Sequence, residues 1–232
     1  MKRAILWVNV LSMLFLASSC PAMMWFHPHD PISVLQSRIG YYRERVQQQL
    51  QPEFVRAGLS YPSQQIALLV FKNDKRLELW GKDDGAWRHV KNFKILAASG
   101  HAGPKLRNHD LQVPEGIYSI VDLNPNSHFH LSMQINYPNF YDLQHAEQDR
   151  RMNLGGDIFI HGSDLSIGCI AIGDESIDQL FVLSYLVGIK NVEVIIAPND
   201  LRQQKPIYVK SDPTWVRDLY ENIQMALQRF RV

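Results

Sequence analysis

Residues 157–174 read DIFIHGSDLSIGCIAIGD, and this stretch decides how the rest of the chain is interpreted. An apolar run ends at His161, a short turn rich in Gly, Ser and Asp follows, and a second apolar run begins after Gly168 and Cys169. We interpret this order as a strand, a loop and the start of a helix, which would bring an imidazole beside a thiol. Because the thiolate is the attacking form of cysteine, a reactive cysteine needs a nearby base. The pattern predicts Cys169 as a nucleophile and His161 as its general base.

Gly168, directly before the sulfur, has a predicted role of its own. It permits a strained turn and the close approach of a substrate carbonyl, so that neighbouring backbone amides are free to form an oxyanion hole. The alternative is a buried core cysteine and a structural histidine, the commoner situation for isolated residues of these types. The chain has only two cysteines, so removal or lipidation of Cys20 would leave Cys169 as a single thiol, which favours reactivity. A Cys20–Cys169 disulfide would contradict the prediction that Cys169 is reactive.

The motif residues carry a resemblance to a known family. His161-Gly162 followed by Ser166, Gly168 and Cys169 resembles the HG…S(H)GC motif of the L,D-transpeptidase family with a YkuD-type catalytic domain, which remodels bacterial peptidoglycan. The stretch is most similar to the YafK-like branch, and the resemblance extends over residues 66–198. It implies that the Gly162 carbonyl orients the imidazole.

Two residues depart from the general family pattern. Ile167 stands where many members have a second histidine, and Ala171 stands where many have an arginine. Both changes leave the nucleophile and the base intact. They put ordinary peptidoglycan cross-linking in doubt.

The resemblance and the residue patterns together predict the fold class. We expect a β-rich α+β fold, namely a YkuD-type catalytic domain that is sandwich-like or barrel-like, with flanking N- and C-terminal helices. The predicted organisation is a signal peptide at 1–22, a helical segment at 23–61, the catalytic domain at 62–198 and a C-terminal helix at 199–232.

Periodicity predicts the flanking helices and the first strands. Apolar residues from Ile32 to Leu50 recur at helical spacing after Asp30-Pro31, and Pro52 is expected to break that helix. The apolar run 66–71 and the alternation after it indicate a β-hairpin, and a further strand is expected at 93–98. Later in the chain, Asp174 or Ser176 is expected to cap one helix, and Asp212-Pro213 to start another.

Composition and the N-terminal residues bear on location. The chain carries 24 Lys and Arg against 23 Asp and Glu, so no overall field would recruit nucleic acid. Residues 1–22 have the charged start, apolar middle and small-residue end of a secretory signal, and the middle is shorter than the about 20 residues of a membrane span. We expect a periplasmic protein. The sequence leaves open whether Cys20 belongs to a lipoprotein signal, which would give a lipid anchor as the only membrane contact.

Further candidate site residues come from the stretches 103–116 and 124–139. The residues expected to line the substrate site are Lys105, Asp110, His128, His130, Tyr137 and Ser166. If His128 and His130 lie on a strand, their side chains face one side and could ligate zinc together with His161 or Asp157. No other metal pattern is present, and we expect no cofactor.

The reaction implied by the resemblance is acyl transfer through a Cys169 thioester on a peptidoglycan stem peptide. The acyl-enzyme would be resolved by an amine, giving transpeptidation, or by water, giving an amidase that releases a lipoprotein linked to diaminopimelate. Two other classes stay open: a metal-dependent peptidoglycan hydrolase and a non-catalytic wall-binding protein.

Overall fold

The structure is a computed structural model that describes residues 31–231. The predicted signal peptide, including Cys20, lies outside the described residues. Within the described part of the chain, no helix combines the length and apolar character that crossing a membrane requires.

Four helices and nine strands make up the described residues. The helices are α1 (Pro31–Arg56), α2 (Phe140–Gln148), α3 (Asp174–Val187) and α4 (Val216–Leu227). The strands are β1 (Gln65–Phe71), β2 (Arg76–Lys82), β3 (Arg88–Lys94), β4 (Ala97–Ala98), β5 (Gly116–Asn124), β6 (Ser132–Ile135), β7 (Phe159–His161), β8 (Ile170–Ala171) and β9 (Val192–Ala197). A 3₁₀ turn, Ile189–Asn191, joins α3 to β9. The prediction of a β-rich α+β fold is confirmed.

The nine strands form one mixed sheet in the order β3-β2-β1-β9-β5-β6-β7-β8-β4. Its two edge strands, β3 and β4, are separated in the chain only by Ile95 and Leu96. So short a link forces the sheet to curve until its edges approach each other, which gives the barrel-like form. Two pairs are parallel, β1 with β9 and β7 with β8, and the other pairs are antiparallel.

The first strand is buried on both faces, which explains its unbroken apolar run. Ile66, Leu68 and Val70 belong to a core shared with α1 and α3. Ala67 and its alternate neighbours Leu69 and Phe71 belong to a second core beneath α4. Because successive side chains point to opposite faces of a strand, β1 serves both cores at once.

The first helix follows the predicted apolar stripe, with Ile39, Tyr42, Val46 and Leu50 buried. The predicted break at Pro52 is wrong, because α1 continues through Pro52 to Arg56. Proline removes one backbone hydrogen bond there, but the complete burial of residues on both sides of it, Leu50 and Phe54, holds the last turn in place. The helix ends before Gly58, whose φ is +69°.

Three other boundaries differ from the sequence prediction. Phe93 belongs to β3, and only Ala97–Ala98 forms the next strand. The N-cap of α3 is Gly173, which makes no side-chain cap. The last helix begins at Val216, because Asp212 instead accepts the Val209 N–H at 2.7 Å and closes the turn before it.

Candidate active site

The pairing of β7 with β8 brings Cys169 and His161 to one face of the sheet. These strands run parallel with Ile160 opposite Ile170, so Cys169, one residue before β8, lies opposite Phe159. Ile160 and Ile170 point into the α1 and α3 core, and alternation turns the side chains of His161 and Cys169 to the other face. Cys169 lies two residues before Ala171, which pairs with His161, so Cys169 and His161 occupy neighbouring positions of the strand pairing.

The His161 ring is buried and held in one orientation. Its Nδ1 lies 2.6 Å from the Gly162 carbonyl oxygen, and the residue is 1% exposed. Because a carbonyl can only accept, Nδ1 carries the hydrogen and Nε2 is the acceptor of the neutral ring. The Phe129 ring covers it at a centroid distance of 4.7 Å. This is the contact through which the resemblance implied that the Gly162 carbonyl orients the imidazole.

The Cys169 thiol is partly exposed and forms no disulfide within the described residues. Its sulfur lies 3.8 Å from the Asp157 carbonyl oxygen. Burial raises the pKa of the Cys169 thiol, with a smaller effect in the same direction from the Asp157 carboxylate. The Phe159 N–H and the Lys105 charge act in the opposite direction on that pKa.

Burial also lowers the pKa of His161, and the hydrogen bond to Gly162 only partly offsets this effect. A raised pKa of the thiol and a lowered pKa of the imidazole both favour the uncharged pair. Neither shift favours a resting pair of thiolate and imidazolium.

The loop between His161 and Cys169 is fixed by hydrogen bonds that the sequence did not reveal. The Gly168 N–H donates to Ser99 Oγ at 2.6 Å, and the Ser166 hydroxyl donates to the Cys169 carbonyl at 2.5 Å. Asp174, expected to cap α3, instead accepts the Ser163 N–H at 2.7 Å. Side chains distant in sequence, such as Ser99, have no local signal that would identify them.

Two predictions about this loop are wrong. The residues after Cys169 form β8, and the next helix begins only at Asp174, so no helix start adjoins the thiol. Gly168 does adopt the expected left-handed turn, with φ +90°. Its amide is not free for an oxyanion, however, because Ser99 occupies it.

Lys105, Asp110 and Tyr137 form a cluster within the protein. Lys105 Nζ lies 2.5 Å from Asp110 Oδ1, and the other carboxylate oxygen accepts the backbone N–H groups of residues 106 and 107. Tyr137 is buried and donates to the Lys105 carbonyl at 3.2 Å. The charge of Lys105 reaches Cys169, whereas the Tyr137 hydroxyl faces the interior.

The two histidines before β6, His128 and His130, lie in different environments. The two histidines do not lie on a strand, because β5 ends at Asn124 and β6 begins at Ser132, and His128 is exposed. His130 Nε2 instead lies 2.7 Å from Asp178 Oδ1. An open cleft of about 500 Å³ is lined by both histidines and by Ser163, Asp164 and Asp174. Within residues 31–231, no three His, Cys, Asp or Glu side chains are arranged to hold a metal ion.

The sequence profile of the L,D-transpeptidase catalytic domain, YkuD, matches residues 65–196, more than half of the chain. The chain belongs to this family, and both the predicted family and the predicted fold class are confirmed.

Its relatives place it in the YafK-like branch. A protein of Escherichia coli (strain K12), provisionally named L,D-transpeptidase YafK, is 35% identical over 138 residues, which are 57% of this chain and 54% of that relative. The chain thus spans about half the length of the curated relative that it matches. The crystal structure of the helical cell shape determining protein Pgp2 from Campylobacter jejuni is 27% identical, with a TM-score of 0.47, over 59% of this chain and 48% of that one. The structure of Bdellovibrio bacteriovorus Bd1075 is 19% identical, with a TM-score of 0.44, over 74% of this chain and 57% of that one.

Proposed function

We propose that this protein is a cysteine-dependent acyl transferase or hydrolase acting on peptidoglycan stem peptides. The observation that supports the proposal most directly is the parallel register of β7 and β8, in which Cys169 and His161 fall at neighbouring positions. The thiol is partly exposed, and the imidazole is hydrogen-bonded to the Gly162 carbonyl. Membership of the L,D-transpeptidase family supplies the substrate class. No cofactor enters the reaction.

In the first half-reaction, Cys169 Sγ forms a bond to an amide carbonyl carbon of the stem peptide. His161 Nε2 takes the thiol proton, and the C–N bond then breaks as the same proton passes to the leaving amine. The product is a thioester on Cys169 and a free amine. Backbone N–H groups next to the sulfur stabilise the oxyanion; for the Gly168 amide to contribute, it must first be released by Ser99.

In the second half-reaction, a nucleophile attacks the thioester carbonyl and Cys169 leaves as the thiol, with His161 moving the proton. An amine acceptor regenerates an amide, and water gives a carboxylic acid. We favour water, because Ala171, where many family members carry arginine, is fully buried in β8 and Ile167 offers no second imidazole. The protein would then be an amidase that releases a lipoprotein from diaminopimelate.

The remaining site residues take supporting roles in this proposal. The Lys105 charge stabilises the developing thiolate, and Asp110 holds the lysine in place. Ser166 fixes the Cys169 carbonyl, and His128 lies exposed at the rim, where a substrate can meet it. Export to the periplasm, with Cys20 as an alternative lipid anchor, completes the proposal.

Labelling with iodoacetamide and reading the intact mass tests the nucleophile. We expect one adduct on the wild-type chain at Cys169 and no adduct there after Cys169→Ala. The second assay incubates both proteins with muropeptides and with lipoprotein-bearing sacculi, and identifies the products by mass spectrometry. Release of the lipoprotein by wild type alone supports the amidase. Cross-linked dimers without release would show a transpeptidase, and equal sacculus binding without turnover would show a wall-binding protein.

A further inference from the structure

The turn formed by residues 128–131 packs directly against the His161 unit. The Phe129 ring is tilted by 34° over the imidazole, and the Leu131 carbonyl accepts the Gly162 N–H at 3.2 Å. The Phe129 carbonyl oxygen and His130 Cβ leave no space for a side chain at Gly162. The turn therefore covers one face of the ring and borders the carbonyl that orients it.

The backbone of this turn needs an anchor. His130 has a φ of +75°, a left-handed conformation that costs a residue other than glycine about 1 kcal/mol or more. Its side chain supplies the anchor, because Nε2 lies 2.7 Å from Asp178 Oδ1 on α3, and the Asp178 side chain is only 5% exposed. The Tyr42 hydroxyl of α1 lies 3.5 Å from the same nitrogen.

Arg45 completes the network from α1. Its guanidinium pairs with Asp178 Oδ2, so both oxygens of the buried carboxylate are occupied. Without the arginine, that carboxylate would keep a single partner in a desolvated position, which is costly. Helix α1 precedes residues 65–196, the part of the chain that the family profile covers.

We propose that Arg45, Asp178 and His130 are positioning residues for His161. They hold the 128–131 turn so that Phe129 stays over the imidazole and Gly162 keeps its carbonyl on Nδ1. The inference rests on the proposed function, in which His161 is the base. It adds that a helix outside the family's catalytic domain contributes to the active site.

If the network only fastened α1 to the domain, breaking it would leave the surroundings of the His161 ring unchanged. Burial lowers the pKa of His161, so a turn that loosens and admits water must raise that pKa towards its ordinary value. Direct charge effects run in opposite directions: Asp178→Asn removes a negative charge and would lower the pKa, whereas Arg45→Met removes a positive charge and would raise it. A rise in both variants therefore reports the loosened turn.

Other titratable or charged groups lie around the network and also influence the titrations. From α1 they are Arg38, Tyr41 and Tyr42, from α3 Asp174, and from the turn His128. None of them is changed in the variants, so their effects are common to every titration.

The experiment follows the His161 ring by NMR titration in the full chain, with the signal assigned by His161→Gln. We expect the pKa to rise in Asp178→Asn and Arg45→Met, and to stay at the wild-type value in Arg45→Lys. Arg229→Met is the matched control, since it removes an arginine–carboxylate pair between the residues that follow α4 and Glu193 of β9. If Asp178→Asn does not fold, His130→Asn replaces it, because asparagine tolerates the left-handed backbone but is too short to reach the carboxylate.

Turnover and the pH dependence of Cys169 alkylation give a second readout. The two disruptive variants should lose about tenfold in kcat with little change in KM, since misplacing a catalytic group weakens the chemical step. An unchanged His161 pKa together with wild-type turnover would refute the positioning role. A wild type whose Cys169 neither reacts nor turns over substrate would instead refute the proposed function, while the His161 titration would still decide whether the network holds the ring.

Discussion

Replacing Gly162 by alanine tests whether the tight packing around the His161 carbonyl partner is needed. The added Cβ would lie 2.5 Å from Asp174 Oδ1, 2.7 Å from the Phe129 carbonyl oxygen and 3.0 Å from His130 Cβ. All three are far inside ordinary van der Waals contact, and one is backbone. Relief requires the 128–131 turn or the start of α3 to move. Overpacking of this kind costs about 1–3 kcal/mol, and the two hydrogen bonds at Gly162 are at risk as well.

Urea denaturation of Gly162→Ala should therefore show a free energy of unfolding lower by about 2 kcal/mol. Alkylation of Cys169 should slow by about tenfold near pH 7, since the imidazole loses its fixed orientation. Gly156→Ala is the matched control, because a Cβ there meets nothing within 4 Å. Gly40→Ala, also without neighbours and inside α1, should stabilise the protein by about 0.5–1 kcal/mol.

One result would refute this reasoning. If Gly162→Ala unfolds within about 0.5 kcal/mol of Gly156→Ala and alkylates at the wild-type rate, the space around residue 162 is not as limited as the distances imply. A loss of stability with normal alkylation would leave the packing argument intact but remove its link to His161.

Three further predictions concern the two cores and the buried charges. Burial raises the pKa of Asp142 to about 6, so the stability that the protonated carboxyl contributes is full below pH 3.8 and is lost as the pH rises through about 6. In urea denaturation, the free energy of unfolding of Asp142→Asn should therefore rise by about 3 kcal/mol relative to that of the wild type between about pH 4 and about pH 7.5. Lys72→Met should cost about 3–5 kcal/mol in the same assay, because it leaves Glu115 buried without its partner at 2.9 Å. Phe54→Ala, at a fully buried position, should cost about 3–5 kcal/mol, whereas exposed Val55→Ala should stay within about 0.5 kcal/mol.

Each of these predictions has a contrary outcome. A parallel pH dependence in wild type and Asp142→Asn would show that the carboxyl is not protonated on folding. The double variant Lys72→Met with Glu115→Gln should recover part of the lost stability, and no recovery would assign the loss to packing of the lysine stem instead. Equal effects at Phe54 and Val55 would mean that the end of α1 does not pack on the domain.

The sequence predicts the elements whose signal is local. The stripe from Ile39 to Leu50 specifies α1, and the run 66–71 specifies a strand buried on two sides, because periodicity follows directly from helix and strand geometry. Pro52 is misinterpreted for the opposite reason: packing of Phe54 overrides a local preference. Such an override depends on neighbours that only the folded chain brings together.

The candidate site likewise contains residues that a local sequence signal identifies and residues that have no such signal. Short spacing and the glycines indicate Cys169 and His161, and the pairing of β7 with β8 brings their backbone positions near each other. Asp178 gives no such signal, since nothing in the sequence around this aspartate relates it to a histidine 48 residues earlier. The sequence assigns His130 to the substrate site, whereas its pairing with Asp178 depends on a helix that only folding brings near.

The parallel pairing of β1 with β9 has a consequence for synthesis on the ribosome. Ile66 registers with Val192, so the middle of the sheet joins strands from opposite ends of the matched region. While the nascent chain is short, β1 can pair only with β2 and keeps an open apolar edge. The barrel closes once β9 has emerged, so co-translational folding is delayed until the whole region from β1 to β9 has been made.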